Sequence, residues 1–201
     1  FPSFTFPNHY SIATGVYAGT HGLIANSFYR RDFNESYSMR KKNTVIEGKW
    51  YGAEPIWVTA ERQGINTATF FWVGSEAEIK GLRPSIYESY DGSVPFSQRV
   101  DTVFDWFALP YENRPQLCML YFNEPDHLGH AYGPESIQVD NSIIEIDNLL
   151  GSIIDKINSS SIKDSLNLII VSDHGMVRIS KDKFIYLDRY VRGIYDLRVD
   201  G

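Results

Sequence analysis

The run Leu117-Cys118-Met119-Leu120-Tyr121-Phe122 decides the fold class of this 201-residue chain. An unbroken apolar run is typical of a parallel strand that is covered on both faces, whereas a strand with one face in water alternates apolar and polar residues. A polar stretch with acids and histidines, Asn123 to His130, follows this run at once. The sequence therefore predicts a buried strand whose carboxyl end carries functional side chains.

Helix-like and strand-like segments alternate on both sides of this run. The predicted helices start near Pro7 and span Pro55–Gly64, Ser97–Leu109 and about Pro134–Ile157, and the other predicted strands are Thr67–Trp72 and Leu166–Ser172. This alternation favours an α/β fold with a mainly parallel sheet and helices on both faces. The polar stretch Arg30 to Lys49 is predicted to be a solvated excursion without chemistry.

Composition restricts the classes of protein that fit. With 43% hydrophobic and 14% aromatic residues the chain can bury a sizeable core, as one globular domain or part of a larger one. The net charge of -6 argues against a surface that coats nucleic acid, although single nucleotides remain possible ligands. No apolar run approaches the roughly 18–20 residues of a membrane span. Cys118, the only cysteine, is expected to be a buried small hydrophobe rather than a reactive thiol.

A hydroxyl lies close to the start of the chain, in the stretch Phe4-Thr5-Phe6-Pro7-Asn8-His9-Tyr10. Thr5 precedes a proline at a plausible first helical position. The N-terminus of a helix offers unpaired N–H groups and a positive dipole end, which favour phosphate. Thr5 is therefore a candidate nucleophile for phosphate chemistry, and the alternative is a simple N-cap.

Two acid–imidazole pairs follow predicted strands. Asp126 and His130 are four residues apart after the first apolar run, in a predicted turn that contains proline and glycine, and Asp173 and His174 are adjacent after Leu166–Ser172. Carboxylate and imidazole together suit zinc, although each pair taken alone is better explained by a hydrogen-bond network in a loop. Because strand ends of a parallel sheet meet at one edge, both pairs and Thr5 are expected to project toward the same edge.

Several motifs, in this order along the chain, match a known family. They are Thr5–Ile12, His21–Asn26, Glu54–Trp57, Gly92–Phe96, Glu124–Asp126, Gly129-His130 and Ser172–Met176. In these motifs the chain resembles the nucleotide pyrophosphatase/phosphodiesterase family of the alkaline-phosphatase-like superfamily. The resemblance runs from Phe1 to about Tyr190 and implies an alkaline-phosphatase-like fold.

The resemblance also implies two bound zinc ions and Thr5 as the nucleophile. In the matching pattern one zinc is held by Asp126 and His130, and the other by Asp173, His174 and the Thr5 oxygen. The pattern has a further aspartate, expected before the first residue, and a further histidine, expected after the last. Residues 1–201 are therefore expected to be part of one phosphodiesterase catalytic domain, truncated at both ends.

Other positions match residues that bind substrate in the family. Asn26 and the Phe6 backbone N–H resemble its phosphate-oxygen donors. Trp72 and Tyr90 resemble its base-stacking aromatics, with Phe6 beside the nucleophile; for Trp72 core packing is an open alternative, and for Tyr90 the ligand role is at least as well supported. The remaining histidines, His9, His21 and His127, are predicted to be structural or at the surface, and Glu124 is given no role.

These matches lead to an expected function, with alternatives. We expect zinc-dependent hydrolysis of phosphodiester or pyrophosphate bonds in nucleotides, which releases nucleoside 5′-monophosphates through a covalent phospho-threonine. The alternatives are a lysophospholipid or choline phosphodiesterase of the same family and a catalytically silent binding module. Two glycosylation sequons, at Asn34 and Asn158, and the resemblance indicate an extracellular or cell-surface location.

Overall fold

The computed structural model describes residues 3–186 and 189–190 of the chain. The strands are β1 (Ser27–Arg30), β2 (Glu35–Ser38), β3 (Thr67–Phe70), β4 (Ile86–Glu88) and β5 (Leu117–Leu120). The α-helices are α1 (Thr5–Thr14), α2 (Ala18–His21), α3 (Lys42–Val45), α4 (Ile56–Arg62), α5 (Phe96–Phe107), α6 (Asp126–Tyr132) and α7 (Ile137–Ser159). Short 3-10 turns lie at Gly48–Trp50, Lys163–Ser165 and Lys181–Lys183.

A three-stranded parallel sheet organises the chain, in the order β4-β3-β5. In the register Thr67 lies opposite Leu117 and Phe70 opposite Leu120. All four residues of the central strand β3 are buried, as expected for a strand that is covered on both faces. The α/β fold with a mainly parallel sheet, predicted from the apolar runs, is confirmed.

Helices cover the sheet because each has one apolar face. Helix α4, which precedes β3, buries Trp57 and Val58, and α5, which precedes β5, buries Val100 and Val103. Two apolar clusters form the core. The larger one joins α1 and α4 to the aromatic residues around Trp50, and the smaller one packs β3 against α5 through Phe70, Phe71 and Val103.

The stretch Arg30 to Lys49 is mostly exposed, as its polar composition predicts, but it is ordered and contributes to the core. Its first half completes an antiparallel hairpin, β1 with β2, in which Tyr29 lies opposite Ser36. Tyr37 is almost fully buried and stacks on Phe28 with ring centroids 5.2 Å apart. A single aromatic side chain of an otherwise polar strand therefore contributes to the core, which average composition conceals.

The predicted strand Leu166–Ser172 does not form in the described part of the chain. Its backbone forms no ladder with any neighbour that the structure describes, and its apolar side chains from Leu168 to Val171 are exposed, with Ile169 82% exposed. A strand needs a neighbour that completes its hydrogen bonds, and among the described residues β5 pairs with β3 alone. β5 is thus an edge strand of the described sheet and only half-buried, and it ends at Leu120 rather than Phe122 because its partner β3 ends at Phe70.

Two helices follow β5. The segment that begins at Asp126 is a seven-residue helix, α6, rather than the predicted turn. The long helix α7 begins after Ser136, whose hydroxyl accepts the Val139 N–H as an N-cap, and it agrees with the predicted helix within about three residues. Among the described residues, no helix combines the length and apolar character that a membrane span requires.

Candidate active site

Helix α1 places Thr5 at its first residue. The N-cap is Phe4, which makes no side-chain capping bond, so the N-cap alternative for Thr5 is wrong. Pro7 is the third helical residue rather than the first, and its missing N–H is one that a helix leaves unpaired in its first turn. The half-buried Thr5 hydroxyl is therefore in the first turn, where the helix dipole favours an anion.

Asn26 lies beside the start of this helix. Its Oδ1 accepts the Phe6 N–H at 3.0 Å, which also fixes the orientation of the amide. The remaining donor is the Nδ2 amino group of Asn26. The two expected phosphate donors are thus adjacent, but the Phe6 N–H already has an acceptor, so Asn26 Nδ2 is the better placed of the two to donate to a ligand.

Helix α6 carries the first acid–imidazole pair. Asp126 and His130 are one helical turn apart on the same face, with Oδ1 and Nε2 3.5 Å apart. Glu124, to which the sequence assigned no role, accepts the Leu128 N–H at 3.1 Å and so pairs a donor in the first turn of α6. The His130 side chain is 73% exposed and can reorient toward a ligand.

The second acid–imidazole pair, Asp173 and His174, lies next to the first. His174 Nε2 is 3.4 Å from Asp173 Oδ2 and 3.9 Å from Asp126 Oδ1. Helix α6 packs on this loop at Gly129, where an added Cβ would come within 2.5 Å of the Met176 sulfur and the flexible Met176 side chain would have to shift. Residues 47 positions apart, 126 and 173, are therefore brought together by close packing of α6 on the loop that follows Ser172.

The four side chains fit zinc by type and only in part by position. Donor atoms at the corners of a zinc tetrahedron are about 3.3 Å apart, close to the 3.4 and 3.5 Å separations of the two pairs. Asp126 Oδ1 is buried without a hydrogen-bond donor, as expected of an oxygen intended for a cation. No set of three or more His, Cys, Asp or Glu side chains within residues 3–186 and 189–190 is arranged as a complete metal site.

His9 is buried next to this cluster, a placement that sequence reasoning did not connect with the site. Its Nδ1 lies 2.8 Å from the Thr5 carbonyl oxygen and 3.3 Å from Asp173 Oδ2. Burial lowers the pKa of His9, against the raising effects of the Thr5 carbonyl and the Asp173 charge. One sequence signal could have suggested this placement: His9 lies four residues after Thr5, which places both on the same face of a helix. The other two histidines match the prediction: His21 is fully buried and His127 is exposed.

The three aromatic candidates do not form one slot. Trp72 is buried and packs edge-on against His9 with centroids 5.0 Å apart, which supports the core alternative. Tyr90 is 55% exposed and contacts Phe71 at 5.2 Å. Phe6 faces Tyr37 at 6.2 Å. Of the three, Tyr90 offers the most ring surface to a ligand.

Known proteins resemble this chain along its whole length. The family described as type I phosphodiesterase / nucleotide pyrophosphatase matches residues 1–201. Human ectonucleotide pyrophosphatase/phosphodiesterase family member 1 is 44% identical over 199 residues, which are 99% of this chain and 21% of that protein. The venom phosphodiesterase CdcPDE of Crotalus durissus collilineatus is 41% identical over 201 residues, 100% of this chain and 24% of that protein.

A solved structure shares the fold. It is murine ectonucleotide pyrophosphatase / phosphodiesterase 5, an inactive form in complex with AMP, with a TM-score of 0.87 and 35% identity over 95% of this chain and 50% of that one. The chain thus spans about half of that structure and less than a quarter of the two curated relatives. On sequence and fold together, the chain belongs to the type I phosphodiesterase / nucleotide pyrophosphatase family, with its alkaline-phosphatase-like fold.

Proposed function

We propose that the protein hydrolyses phosphodiester or pyrophosphate bonds in nucleotides and releases nucleoside 5′-monophosphates. One observation carries the proposal: Asp126, Asp173 and His174 converge from two chain segments beside α1, whose first residue is Thr5. Residues 1–201 would be part of one catalytic domain, since the relatives are several times longer than this chain.

Each residue has a chemical role in this proposal. The Thr5 oxygen forms a bond to phosphorus as the bond to the leaving group breaks, and water then displaces Thr5 and releases the nucleotide. Asn26 Nδ2 donates to a phosphoryl oxygen whose charge grows during attack. Asp126 with His130, and Asp173 with His174, would each hold a zinc ion. When bound, zinc lowers the pKa of a coordinated hydroxyl and polarises the phosphoryl group.

The similar proteins support the substrate class and the location. The murine neighbour was solved with AMP, the nucleoside 5′-monophosphate that such a reaction would release. The relatives are named as an ectonucleotide enzyme and a venom enzyme, which fits an extracellular or cell-surface protein. Both sequon asparagines, Asn34 and Asn158, are exposed in the structure and therefore accessible to modification.

Substrate comparison tests this function against its rivals. The full-length protein would be assayed with a dinucleoside polyphosphate and with a choline phosphodiester. We expect 5′-mononucleotide from the first and slower turnover of the second. Faster turnover of the choline diester would favour the lipid-type alternative, and a protein with neither activity nor tightly bound zinc would favour the silent binding module.

A pair of matched variants links the activity to the site. Asp126→Asn keeps the size of the side chain but removes its charge, and it should lower kcat/KM at least about 100-fold because the cation loses a charged ligand. Asp101→Asn is the control, since that carboxylate is exposed and contacts only Lys156, at 2.9 Å, among the ion pairs of the described residues. Equal activity of the two variants would remove Asp126 from the mechanism.

A further inference from the structure

The loop that carries Asp173 and His174 receives two contacts from α1. Asn8 Nδ2 donates to the Asp173 carbonyl oxygen at 2.8 Å, and His9 Nδ1 is 3.3 Å from the Asp173 carboxylate. The preceding segment, residues 166–172, forms no strand with the described sheet. Among the described residues, therefore, helices α1 and α6 contact this loop, and the two contacts to Asp173 from α1 come from Asn8 and His9.

The hydrogen-bond geometry determines which His9 nitrogen carries a proton. A carbonyl oxygen can only accept, so the 2.8 Å contact with Thr5 requires an N–H on Nδ1. The same N–H lies within reach of Asp173 Oδ2 and can be shared between the two oxygens. The ring itself is held between Trp72 and Tyr121, with centroids 5.0 and 5.1 Å away. The donor is thus fixed in direction by packing.

We propose that Asn8 and His9 form a clasp that positions Asp173 relative to Thr5. Asn8 holds the backbone of Asp173 and His9 orients its carboxylate, while Thr5 lies one turn earlier on the same helix. This inference deepens the proposed function, because it gives α1 both the nucleophile and the residues that orient a ligand of the second zinc. Asn8 and His9 are positioning residues, not catalytic ones. Partners that orient metal ligands in this way typically change metal affinity 10–100-fold when replaced.

Four single variants of the full-length protein test the clasp. His9→Phe keeps a ring against Trp72 and Tyr121 but removes the N–H, and His9→Asn restores an N–H near the position of Nδ1. Asn8→Ala removes the backbone contact from a half-buried site and should fold readily. Tyr10→Phe is the matched control, since it removes another α1 hydrogen bond, the 2.6 Å contact with the Ala53 carbonyl, without contacting Asp173.

Zinc affinity and hydrogen exchange are the two measurements. By titration calorimetry, we expect His9→Phe and Asn8→Ala to weaken zinc binding about 10–100-fold, His9→Asn to recover most of it, and Tyr10→Phe to match the wild type. In zinc-free protein, amide hydrogen exchange at residues 173–175 should be faster than in the wild type for His9→Phe and Asn8→Ala. It should be unchanged for Tyr10→Phe.

Two results would overturn the clasp. The first is wild-type zinc affinity and exchange in both His9→Phe and Asn8→Ala, and the second is an equal loss in Tyr10→Phe, which would mean general destabilisation. Because exchange is measured without metal, the clasp and the proposed function can fail separately. A wild-type protein that binds no zinc but shows the expected exchange pattern would retain the clasp and refute the zinc-dependent function.

Discussion

Replacing Glu61 should destabilise this fold more than replacing most of its other carboxylates. Its Oε1 accepts the Thr67 N–H at 2.8 Å, the Thr67 hydroxyl at 2.7 Å and the Ser85 N–H at 2.8 Å, and its Oε2 accepts the Ser85 hydroxyl at 2.8 Å. One side chain at the end of α4 therefore joins the start of β3 to the segment that leads into β4. Thr67 is fully buried, so its donors depend on this acceptor.

Replacing Glu61 with alanine leaves two buried donors without an acceptor. A hydrogen bond to a charged group contributes about 1.5–3 kcal/mol, but water can reach the exposed Ser85 and part of the vacated site, so we expect a loss of about 3 kcal/mol. For a domain of this size that loss corresponds to a fall in Tm of about 6–12 °C. Glu54→Ala, just before α4, should cost less than about 1 kcal/mol, because Glu54 forms an ion pair with the exposed Arg62 and accepts a hydrogen bond from the exposed Thr59 hydroxyl.

Acid should weaken the wild type through the same carboxylate. Burial raises the pKa of Glu61, but the hydrogen bonds from Thr67 and Ser85 lower it by more, so the folded pKa lies below the unfolded value of 4.5. The contribution is therefore complete above pH 4.5 and is lost as the pH falls through the folded pKa. Glu61→Gln should lack this part of the acid dependence.

Urea denaturation from pH 3 to pH 7 measures both effects. The reasoning would be refuted if Glu61→Ala destabilised the protein no more than Glu54→Ala, or if Glu61→Gln lost stability in acid as steeply as the wild type.

Three further substitutions or reagents probe other sites. Tyr90→Ala should raise KM for a nucleotide ester several-fold, with kcat and Tm nearly unchanged, because a base would lose its stacking partner. KM for a substrate that lacks a base should not change. An equal rise in KM for both substrates would exclude base stacking. Arg99 is fully buried and donates to the Val94 and Tyr121 carbonyl oxygens at 3.0 Å each. Arg99→Lys should therefore lower the free energy of unfolding in urea by about 1–3 kcal/mol. An unchanged free energy of unfolding would contradict this structural role. Cys118 is half-buried and burial raises the pKa of its thiol to about 12, so it should react with iodoacetamide much more slowly in the folded than in the unfolded protein, and equal labelling rates would contradict this.

The fold was predictable where one local pattern was enough. The apolar run that contains β5 and the spaced apolar residues of α7 both specify their structure locally. The hairpin β1–β2 was missed because β2 buries a single aromatic residue, Tyr37, within otherwise polar sequence. Leu166–Ser172 was predicted as a strand because an apolar run favours strand formation. A strand also requires a neighbouring strand to complete its hydrogen bonds, and sequence alone does not show whether one is present.

The site was predictable by residue type more than by geometry. The spacing of Asp126 and His130 indicated a shared ligand. The predicted turn was wrong, because Pro125 lies at the start of helix α6 and Gly129 lies within it, where it packs against Met176. The contact of His9 with Asp173 was beyond sequence reasoning. It joins residues 164 positions apart, and only the packing of α1 against the loop reveals it.

The central claim is that Thr5 is the nucleophile. The most direct measurement compares Thr5→Ala with wild-type full-length protein in the hydrolysis of a nitrophenyl ester of a nucleotide, with circular dichroism and zinc content to establish that fold and metal are retained. Because Thr5 makes no capping bond, the variant should fold normally. Loss of the covalent step should lower kcat by at least about 1,000-fold. A folded, zinc-loaded Thr5→Ala protein that turns over near the wild-type rate would contradict the claim.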